Sequence, residues 1–303
     1  MKLYAPEYYK DFKCIADKCK HSCCIGWEID VDANTLDKYN KLNNGYGKTI
    51  KNSISYEDTP HFKLSENDRC PHLNDKGLCK IILEYGDGYL CGICREHPRF
   101  YNNTPRGKEV GIGMSCEEAC RIILESDNFS NIVEVDNIHD EATEPSEFDS
   151  LAQRNFIYGI LTDKSLDYNS KLQKIGETYD ISLSDISDSE WKDIINSLEY
   201  LNEDHRELFL NFSSKASIPQ KYEKYAERAL AYFIYRHSTE VDNANNFRAS
   251  LGFCLFCEKL LTSLATMQEN TSVDILFDFA RIISEELEYS ESNTESIKFE
   301  FSF

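Results

Sequence analysis

Twelve cysteines set this chain apart, and their spacing suggests metal chemistry. The spacing is Cys14-x4-Cys19-x3-Cys23-Cys24, followed by Cys70-x8-Cys79-x11-Cys91-x2-Cys94-x21-Cys116-x3-Cys120. Short spacings let one loop present several sulfurs to a single centre. Thiolates favour zinc, or iron that is held in an iron–sulfur cluster. The sequence therefore predicts a cysteine-bound metal centre in the first part of the chain.

The spacing does not by itself choose the metal. The pair Cys91-x2-Cys94 has the spacing of a zinc knuckle, whereas the first group of four cysteines does not. The side chains of adjacent residues such as Cys23 and Cys24 diverge in a helix or a strand. These two sulfurs are therefore poorly placed to share one small ion, and they suit different centres or opposite corners of a cluster.

The last cysteines of the chain have other interpretations. Cys120 lies one helical turn after Cys116. Its position is equally consistent with a metal ligand and with a small apolar residue that fills space in the core. Cys254 and Cys257 lie on one apolar face of a predicted helix. Free cysteine packs as a small hydrophobic residue, so we predict that both belong to a helical core rather than to a metal site.

Length and charge limit what the whole protein can do. The chain has 303 residues, of which 41% are hydrophobic, so it can bury a large core without disulfides. Its formal net charge of −20 argues against non-specific binding to nucleic acid or to an anionic membrane. The chain shows no signal-peptide pattern and no apolar run long enough to cross a bilayer. We therefore predict a cytoplasmic protein with reduced thiols and with neither a nucleic-acid nor a membrane partner.

Cysteine content and charge divide the chain at the same place. Residues 1–124 contain 18 basic and 18 acidic residues, so the remainder carries the entire net charge of −20. The acidic stretch from Glu125 to Glu147 has the composition of an exposed linker. We predict an irregular, cysteine-rich, metal-binding module at 1–125, followed by an acidic helical domain, a bundle, at 126–303. The predicted fold class is mainly α.

Helices that could position these modules are indicated by apolar periodicity. One is predicted from Phe148, with Ser146 as its N-cap, and one around Trp191. Ser189, Ser187 or Asp188 would cap the second of these helices. Further helices are predicted at 34–42, 116–125, 220–237, 247–266 and 273–287. The tail from Ile297 to Phe303 alternates between apolar and polar residues, which predicts a strand.

Several motifs occur in a fixed order over the first 125 residues. They are Cys14-x4-Cys19-x3-Cys23-Cys24-x-Gly26-Trp27-x-Ile29-x-Val31, Cys70-Pro71-His72-Leu73, Gly77-Leu78-Cys79, Cys94-Arg95-x2-Pro98-Arg99 and Ser115-Cys116-x-Glu118. Together they resemble the flagellin lysine-N-methylase family, part of a wider cysteine-cluster group described as zinc- or iron-chelating. Later, Tyr232-Phe233-x-Tyr235-Arg236-His237 is similar to a segment of the helical part of that family.

The resemblance implies an enzyme, a protein-lysine methyltransferase. It would transfer a methyl group from S-adenosylmethionine to surface lysines of its partner flagellin, and it would carry an iron–sulfur cluster of the 4Fe–4S type. Eight cysteines match family positions and form the implied metal pool: Cys14, Cys19, Cys23, Cys24, Cys70, Cys79, Cys94 and Cys116. One such cluster needs only four thiolates, which leaves open a second centre or non-ligating cysteines. The alternatives are a protein that chelates zinc or iron without turnover, and a redox protein.

No common motif specifies where S-adenosylmethionine would bind, because the sequence lacks the G-x-G-x-x-G loop of doubly wound methyltransferases. We predict that Arg95 and Arg99 bind the cofactor's carboxylate, with pairing to Glu96 or Asp87 as the alternative. Trp27 is predicted to stack on the adenine or the sulfonium, with packing against the metal centre as the alternative.

Overall fold

The computed structural model of this chain describes residues 1–43, 45–104, 106–137, 148–267 and 271–303. Its helices are α1 (Ala33–Asn40), α2 (Gly45–Asn52), α3 (Lys80–Tyr85), α4 (Gly92–Glu96), α5 (Glu117–Glu125), α6 (Ser150–Leu161), α7 (Tyr168–Tyr179), α8 (Asp188–Ser197), α9 (Glu203–Phe209), α10 (Glu223–His237), α11 (Ala244–Thr266), α12 (Val273–Ile283) and α13 (Glu291–Phe299). Its strands are β1 (Lys2–Pro6), β2 (Ile54–Ser55), β3 (His61–Phe62), β4 (Arg99–Thr104), β5 (Gly107–Ile112) and β6 (Ile132–Asn137). The predicted mainly helical fold is confirmed for these residues, and a small sheet is added to it.

The chain forms two compact units that do not follow the predicted boundary at residue 125. Lys13–Pro98 form the smaller unit, and Met1–Phe12 together with Arg99–Phe303 form the larger unit. Residues 99–125 lie in the larger unit because β5 pairs with β1 and because α5 packs against α10 and α12. Composition locates the cysteines along the chain, but it does not reveal which strands pair.

A four-stranded sheet in the larger unit has the order β4-β5-β1-β6. β1 runs parallel to β5 and antiparallel to β6, which lies within the stretch predicted to be a linker. At Gly107 the backbone has φ of +145°, and an added Cβ would lie 2.5 Å from the carbonyl oxygen of Lys2. Glycine is therefore required where β5 begins alongside β1. β4 and β5 pair as neighbours in the chain, but the sheet as a whole escaped prediction because β1 pairs with β5 and β6 across about a hundred positions or more.

The helical core of the larger unit is organised around α10 and α11. Trp191 is fully buried, with its ring centroid 4.8 Å from that of Phe256 and 5.5 Å from that of Phe212. Among the described helices, α11 alone is long and apolar enough to span a membrane, but 89% of its apolar window is buried inside the protein. Its hydrophobicity is therefore that of a central core helix.

A buried ion pair joins the sheet to α6. Both side chains of Glu109 in β5 and Arg154 in α6 are fully buried. The guanidinium donates through Nη1 to Oε2 at 2.6 Å and through Nη2 to Oε1 at 2.9 Å. Arg106 donates to the same carboxylate at 2.7 Å, and the Arg154 guanidinium lies 5.2 Å from the ring centroid of Tyr235. This bidentate geometry fixes the helix against the strand.

The predicted C-terminal strand is wrong, because these residues continue and close α13. Ile297 and Phe301 are buried one helical turn apart, whereas Phe303 is 86% exposed. The Phe301 ring covers Gly252 of α11, where an added Cβ would lie only 2.2 Å from it. A sequence in which apolar and polar residues alternate also has apolar residues four positions apart, and these share one face of a helix. The packing of Phe301 on Gly252 therefore selects the helix over the strand.

The helix starts agree with the periodicity, with one change of cap. The predicted cap Ser146 lies outside the described residues, and Asp149 caps α6 by accepting from the Ala152 N–H at 2.9 Å. Ser187 caps α8 in a capping box with Glu190, in which each side chain accepts from the backbone N–H of the other residue. Of the caps considered for α8, the structure therefore selects Ser187.

We expect Ser187→Ala to lower the free energy of unfolding by about 1 kcal/mol, because one N–H at the start of α8 loses its partner. Urea denaturation monitored by circular dichroism measures the difference. Ser189→Ala is the matched control, since Ser189 lies inside the same helix and should tolerate the change. Equal effects of the two substitutions would contradict the role of Ser187 as the cap.

Candidate metal centre

The smaller unit has a hydrophobic core of its own, and five thiols belong to it. Buried apolar residues of this core are Ile29, Val31, Tyr39, Ile50, Ile54, Phe62, Leu73 and Ile81. Cys70 and Cys91 are buried in it, and Cys24, Cys79 and Cys94 pack against it half-buried. These cysteines come from three separate stretches of the chain, which the fold of the unit brings together.

Short backbone contacts hold each of these cysteines in place. The Cys70 N–H donates to the carbonyl oxygen of Cys24 at 2.8 Å, which joins the first stretch to the second. Cys79 forms an isolated antiparallel bridge with Leu73 and immediately precedes α3. Cys91 immediately precedes α4, and Cys94 lies within that helix. Two of the thiols therefore lie at helix N-termini, where the helix dipole favours a thiolate.

Two residues that the sequence did not single out support the Cys91 loop. Asp32 caps α1 by accepting from the Thr35 N–H at 3.0 Å, and it also accepts from the Gly92 N–H at 2.8 Å. The Tyr39 hydroxyl donates to the Tyr89 carbonyl at 2.7 Å and lies 3.7 Å from the sulfur of Cys91. The sequence indicates that Asp32 could cap the predicted helix that follows it. Its second hydrogen-bond donor, the Gly92 N–H, lies 60 residues away and has no signal in the local sequence.

The thiols perturb one another electrostatically. A hydrogen bond with Cys23 lowers the pKa of Cys24 to about 7, and the charge of Arg69 contributes. A hydrogen bond with Cys94 lowers the pKa of Cys91 and raises that of Cys94. Burial raises the pKa of Cys70 to about 12, with a further contribution from the charge of neighbouring thiols.

Burial likewise raises the pKa of Cys79, and the neighbouring thiols Cys24 and Cys91 add to this. Several thiolates can therefore coexist in this core only if a cation compensates their charge. A soft, positively charged metal centre supplies such compensation, so the donor set fits one.

The spacing of the sulfurs is wider than a single zinc ion requires. Four sulfurs at about 2.3 Å from one tetrahedral ion lie roughly 3.8 Å from each other. Within the described ranges, the one group of three candidate ligands whose donor atoms all lie within 4.8 Å of one another is His205, Glu285 and Glu286, and it contains no cysteine. Among the described residues, no three of these thiols are therefore grouped as closely as in a closed four-sulfur zinc site.

Half of the predicted metal pool meets in this core. Cys24, Cys70, Cys79 and Cys94 belong to it, and Cys23 is exposed beside Cys24. The structure adds Cys91, which the resemblance did not include but whose x2 spacing to Cys94 was a visible signal.

The other predicted ligands have different surroundings. The exposed Cys14 accepts from the Ala16 N–H at 3.4 Å, and Cys19 donates to the His21 carbonyl at 3.2 Å. Cys116 lies in the larger unit, at the start of α5, and packs against the main core. The ligand roles of all eight cysteines stay predictions.

The remaining cysteines are core residues of the larger unit. Cys120 is 1% exposed and donates to the carbonyl oxygen of Phe277 at 3.4 Å, so its surroundings are those of a small apolar filler. Cys254 and Cys257 are fully buried in α11, which confirms their predicted place in a helical core.

His72, within the Cys70-Pro71-His72-Leu73 motif, is held as a structural histidine. Its ring is fully buried, with Nδ1 2.8 Å from the Tyr46 hydroxyl and Nε2 2.9 Å from the Ser53 hydroxyl. Burial lowers the pKa of His72 to about 4, with the charge of Lys80 adding to this, so the ring is neutral at physiological pH. Both ring nitrogens are occupied, and His72 therefore supports the thiol core by packing.

The arginines predicted to bind a cofactor have partners in the protein. Arg95 lies 3.6 Å from Glu96, which was the alternative predicted for it. Arg99 belongs to the larger unit, where its Nε donates to the Tyr9 hydroxyl at 2.9 Å. Its guanidinium also lies 5.7 Å from the ring centroid of Phe12. Both arginines thus contribute to local structure, and their role in cofactor binding stays a prediction.

Trp27 lies beside the cysteines of the smaller unit. Its Nε1–H donates to the carbonyl oxygen of Cys23 at 2.6 Å, and its ring centroid lies 6.0 Å from that of His97. The indole is half-buried, so one part of the ring holds the Cys23–Cys24 turn and another part reaches solvent. This placement suits packing against a metal centre, and stacking on a cofactor stays a prediction.

Comparison with known proteins gives a partial match. No protein-family profile and no solved structure matches the chain. A stretch of 126 residues, 39% of this chain, is 26% identical to the flagellar biosynthetic protein FliU of Salmonella muenchen and covers 75% of that protein. The same length is 26% identical to lysine-N-methylases of Salmonella choleraesuis and Salmonella typhimurium and covers 31% of each. These names confirm the resemblance found in the motifs, although the match spans only about a third of the lysine-N-methylases.

Proposed function

We propose that this protein methylates lysine ε-amino groups of flagellin in the cytoplasm. S-adenosylmethionine would donate the methyl group, and activity would depend on an iron–sulfur cluster bound by cysteines of the smaller unit. The observation that carries the proposal is the shared core of Cys24, Cys70, Cys79, Cys91 and Cys94. The names of the matched proteins, which refer to lysine methylation and to flagellar biosynthesis, support the choice of reaction and substrate.

The cluster ligands would be drawn from these five thiols: four of them would complete a 4Fe–4S cluster, and three would leave one iron without a cysteine ligand. Iron that lacks a cysteine ligand can take up amino and carboxylate groups, and this is the chemistry that a bound cluster would supply here. The chain's own part is to hold the sulfurs in a water-poor core. Asp32 and Tyr39 do so by fixing the turn that begins α4.

Methyl transfer to lysine sets a further requirement on the protein. In the reaction the bond between carbon and the sulfonium sulfur breaks, and a bond between carbon and the amine nitrogen forms. The lysine must first lose a proton, because an ammonium has no free lone pair and its pKa is about 10.4 in water. The proposed enzyme must therefore desolvate the lysine or accept its proton before the transfer.

We expect protein purified anaerobically to be brown and to add methyl groups to flagellin when S-adenosylmethionine is supplied. Intact-mass measurement of flagellin counts the methyl groups, and omitting S-adenosylmethionine is the control. A brown protein that adds no methyl group under reducing conditions would contradict methylation but retain the cluster. A colourless protein with stoichiometric zinc would contradict the cluster and favour the zinc-chelating alternative.

A further inference from the structure

A cavity of about 770 Å³ opens in the larger unit, and the proposed function does not use it. It is bordered by the end of β4, the start of α6, the loop between α10 and α11, the first turns of α11 and the end of α13. None of its lining residues is a cysteine. Its volume lies within the range of small-molecule and side-chain pockets.

The rim of the cavity is negatively charged. Glu240, Asp242 and Glu295 are exposed there, and Lys298 supplies the single cation of the lining. Three carboxylates against one ammonium leave an excess of negative charge. A cavity wall of low dielectric focuses such a field on a ligand inside. The rim therefore favours a cationic ligand over a neutral or an anionic one.

The polar groups of the rim also have an excess of acceptors. Asn103 Nδ2 donates to Glu240 at 2.9 Å, Asn246 Nδ2 donates to Asp242 at 2.8 Å, and the Lys298 ammonium donates to Glu295 at 3.1 Å. Each of these three donor side chains is thus already paired with a carboxylate. A carboxylate accepts up to about four hydrogen bonds, so the rim can take further donors from a ligand.

The floor of the cavity also offers hydrogen-bond acceptors to a ligand. Ser150 and Thr239 are 1% exposed, and their hydroxyls donate to the carbonyl oxygens of Thr239 at 2.7 Å and of Tyr235 at 3.1 Å. Thr239 Oγ1 also accepts from Asn102 Nδ2 at 3.0 Å, so one of its lone pairs remains for a ligand, and the Ser150 oxygen offers its lone pairs as well. Ser250 is 2% exposed and also lines the cavity.

We propose that this cavity binds a primary alkylammonium group. Its three N–H donors match the acceptors of rim and floor, and its charge matches the rim. The 58%-exposed ring of Phe299 gives the methylene stem an apolar edge to pack on. Two sources present this chemistry, a lysine side chain in a protein segment and a free polyamine. The inference goes beyond methyl transfer and does not depend on the cysteine core.

Fluorescence anisotropy tests the proposal with the full chain and a dye-labelled, uncharged-backbone peptide that carries one lysine. The triple variant Glu240→Gln, Asp242→Asn, Glu295→Gln should bind about tenfold more weakly, as expected for three partly exposed charge pairs. The control Glu177→Gln, Asp193→Asn, Glu207→Gln removes the same charge from exposed positions on α7, α8 and α9. It should bind like the wild type.

Ser302→Lys provides a second variant that keeps every carboxylate and changes an exposed lining residue, so folding is not at risk. It places a competing ammonium at the rim and should weaken binding by a similar factor. Binding of the peptide but not of spermidine assigns the cavity to a protein segment, and the converse assigns it to a polyamine. Equal losses in the cavity and control triples, or no binding of either probe, would overturn the proposal.

Discussion

Cys91→Ser should lose most of its iron and its visible absorption when it is purified anaerobically. Cys91 is 1% exposed in the core that also contains Cys94 and Cys70, and a serine hydroxyl is a poor ligand for iron that prefers thiolate. Removal of a hydrogen-bond partner of a metal ligand weakens metal affinity roughly 10- to 100-fold. Removal of the ligand itself should therefore weaken metal affinity further. Because a bound metal contributes to folding, residues 13–98 should also become sensitive to proteolysis.

Cys254→Ala is the control for this experiment. It removes a thiol that is fully buried in α11 and does not belong to the core of five thiols, and it should retain the iron of the wild type. Iron and acid-labile sulfide per protein, together with the visible spectrum, measure the outcome. Full iron content in Cys91→Ser, with loss in Cys14→Ser and Cys19→Ser, would show that the cluster uses the first cysteines of the chain instead.

Glu109→Gln should destabilise the larger unit by about 3–5 kcal/mol, which is the usual consequence of removing one partner from a buried ion pair. The Arg154 guanidinium is fully buried and donates two hydrogen bonds to this carboxylate. A neutral amide accepts at only one atom and leaves the buried charge without compensation. Urea denaturation of the purified protein, followed by the fluorescence of the buried Trp191, measures the change.

Glu134→Gln is a matched control in the same sheet. Glu134 lies in β6 and pairs with Lys2 at 2.7 Å, but both side chains are exposed to solvent. Exposed pairs contribute little, so this variant should unfold like the wild type. If Glu109→Gln were equally stable, the interaction of Arg154 with the Tyr235 ring and with water would have to compensate its charge, and our account of the ion pair would be wrong.

Prediction from sequence succeeded where the signal is local. Ser187 and Trp191 lie four residues apart, and such spacing defines both the cap and the buried face of α8. The same reasoning failed at the C-terminus, because alternation of apolar residues does not distinguish a strand from a helix over seven residues. The packing of Phe301 over Gly252 makes that choice, and these residues are 49 positions apart.

In the candidate site, too, local features were predicted from the sequence and long-range contacts were not. Motif order and cysteine spacing predicted a metal pool, and four of its members meet in one core. The sequence did not separate these from Cys14, Cys19 and Cys116, nor did it include Cys91. Membership depends on which stretches the backbone brings together, for example through the hydrogen bond from Cys70 to Cys24. A contact of this kind across 46 residues leaves no periodic trace in the sequence.

The sequence by itself determined the chemical capacity of this protein: a stock of thiols suited to soft metals, an acidic helical part, and motifs shared with lysine-N-methylases. Those properties depend on residue type, on charge and on separations of a few residues. Only the tertiary structure decided which thiols share a core, how the sheet is ordered, and where the acidic rim of Glu240 and Glu295 surrounds a cavity. Each of these depends on contacts between distant stretches of chain, which form because burial of the whole core favours them.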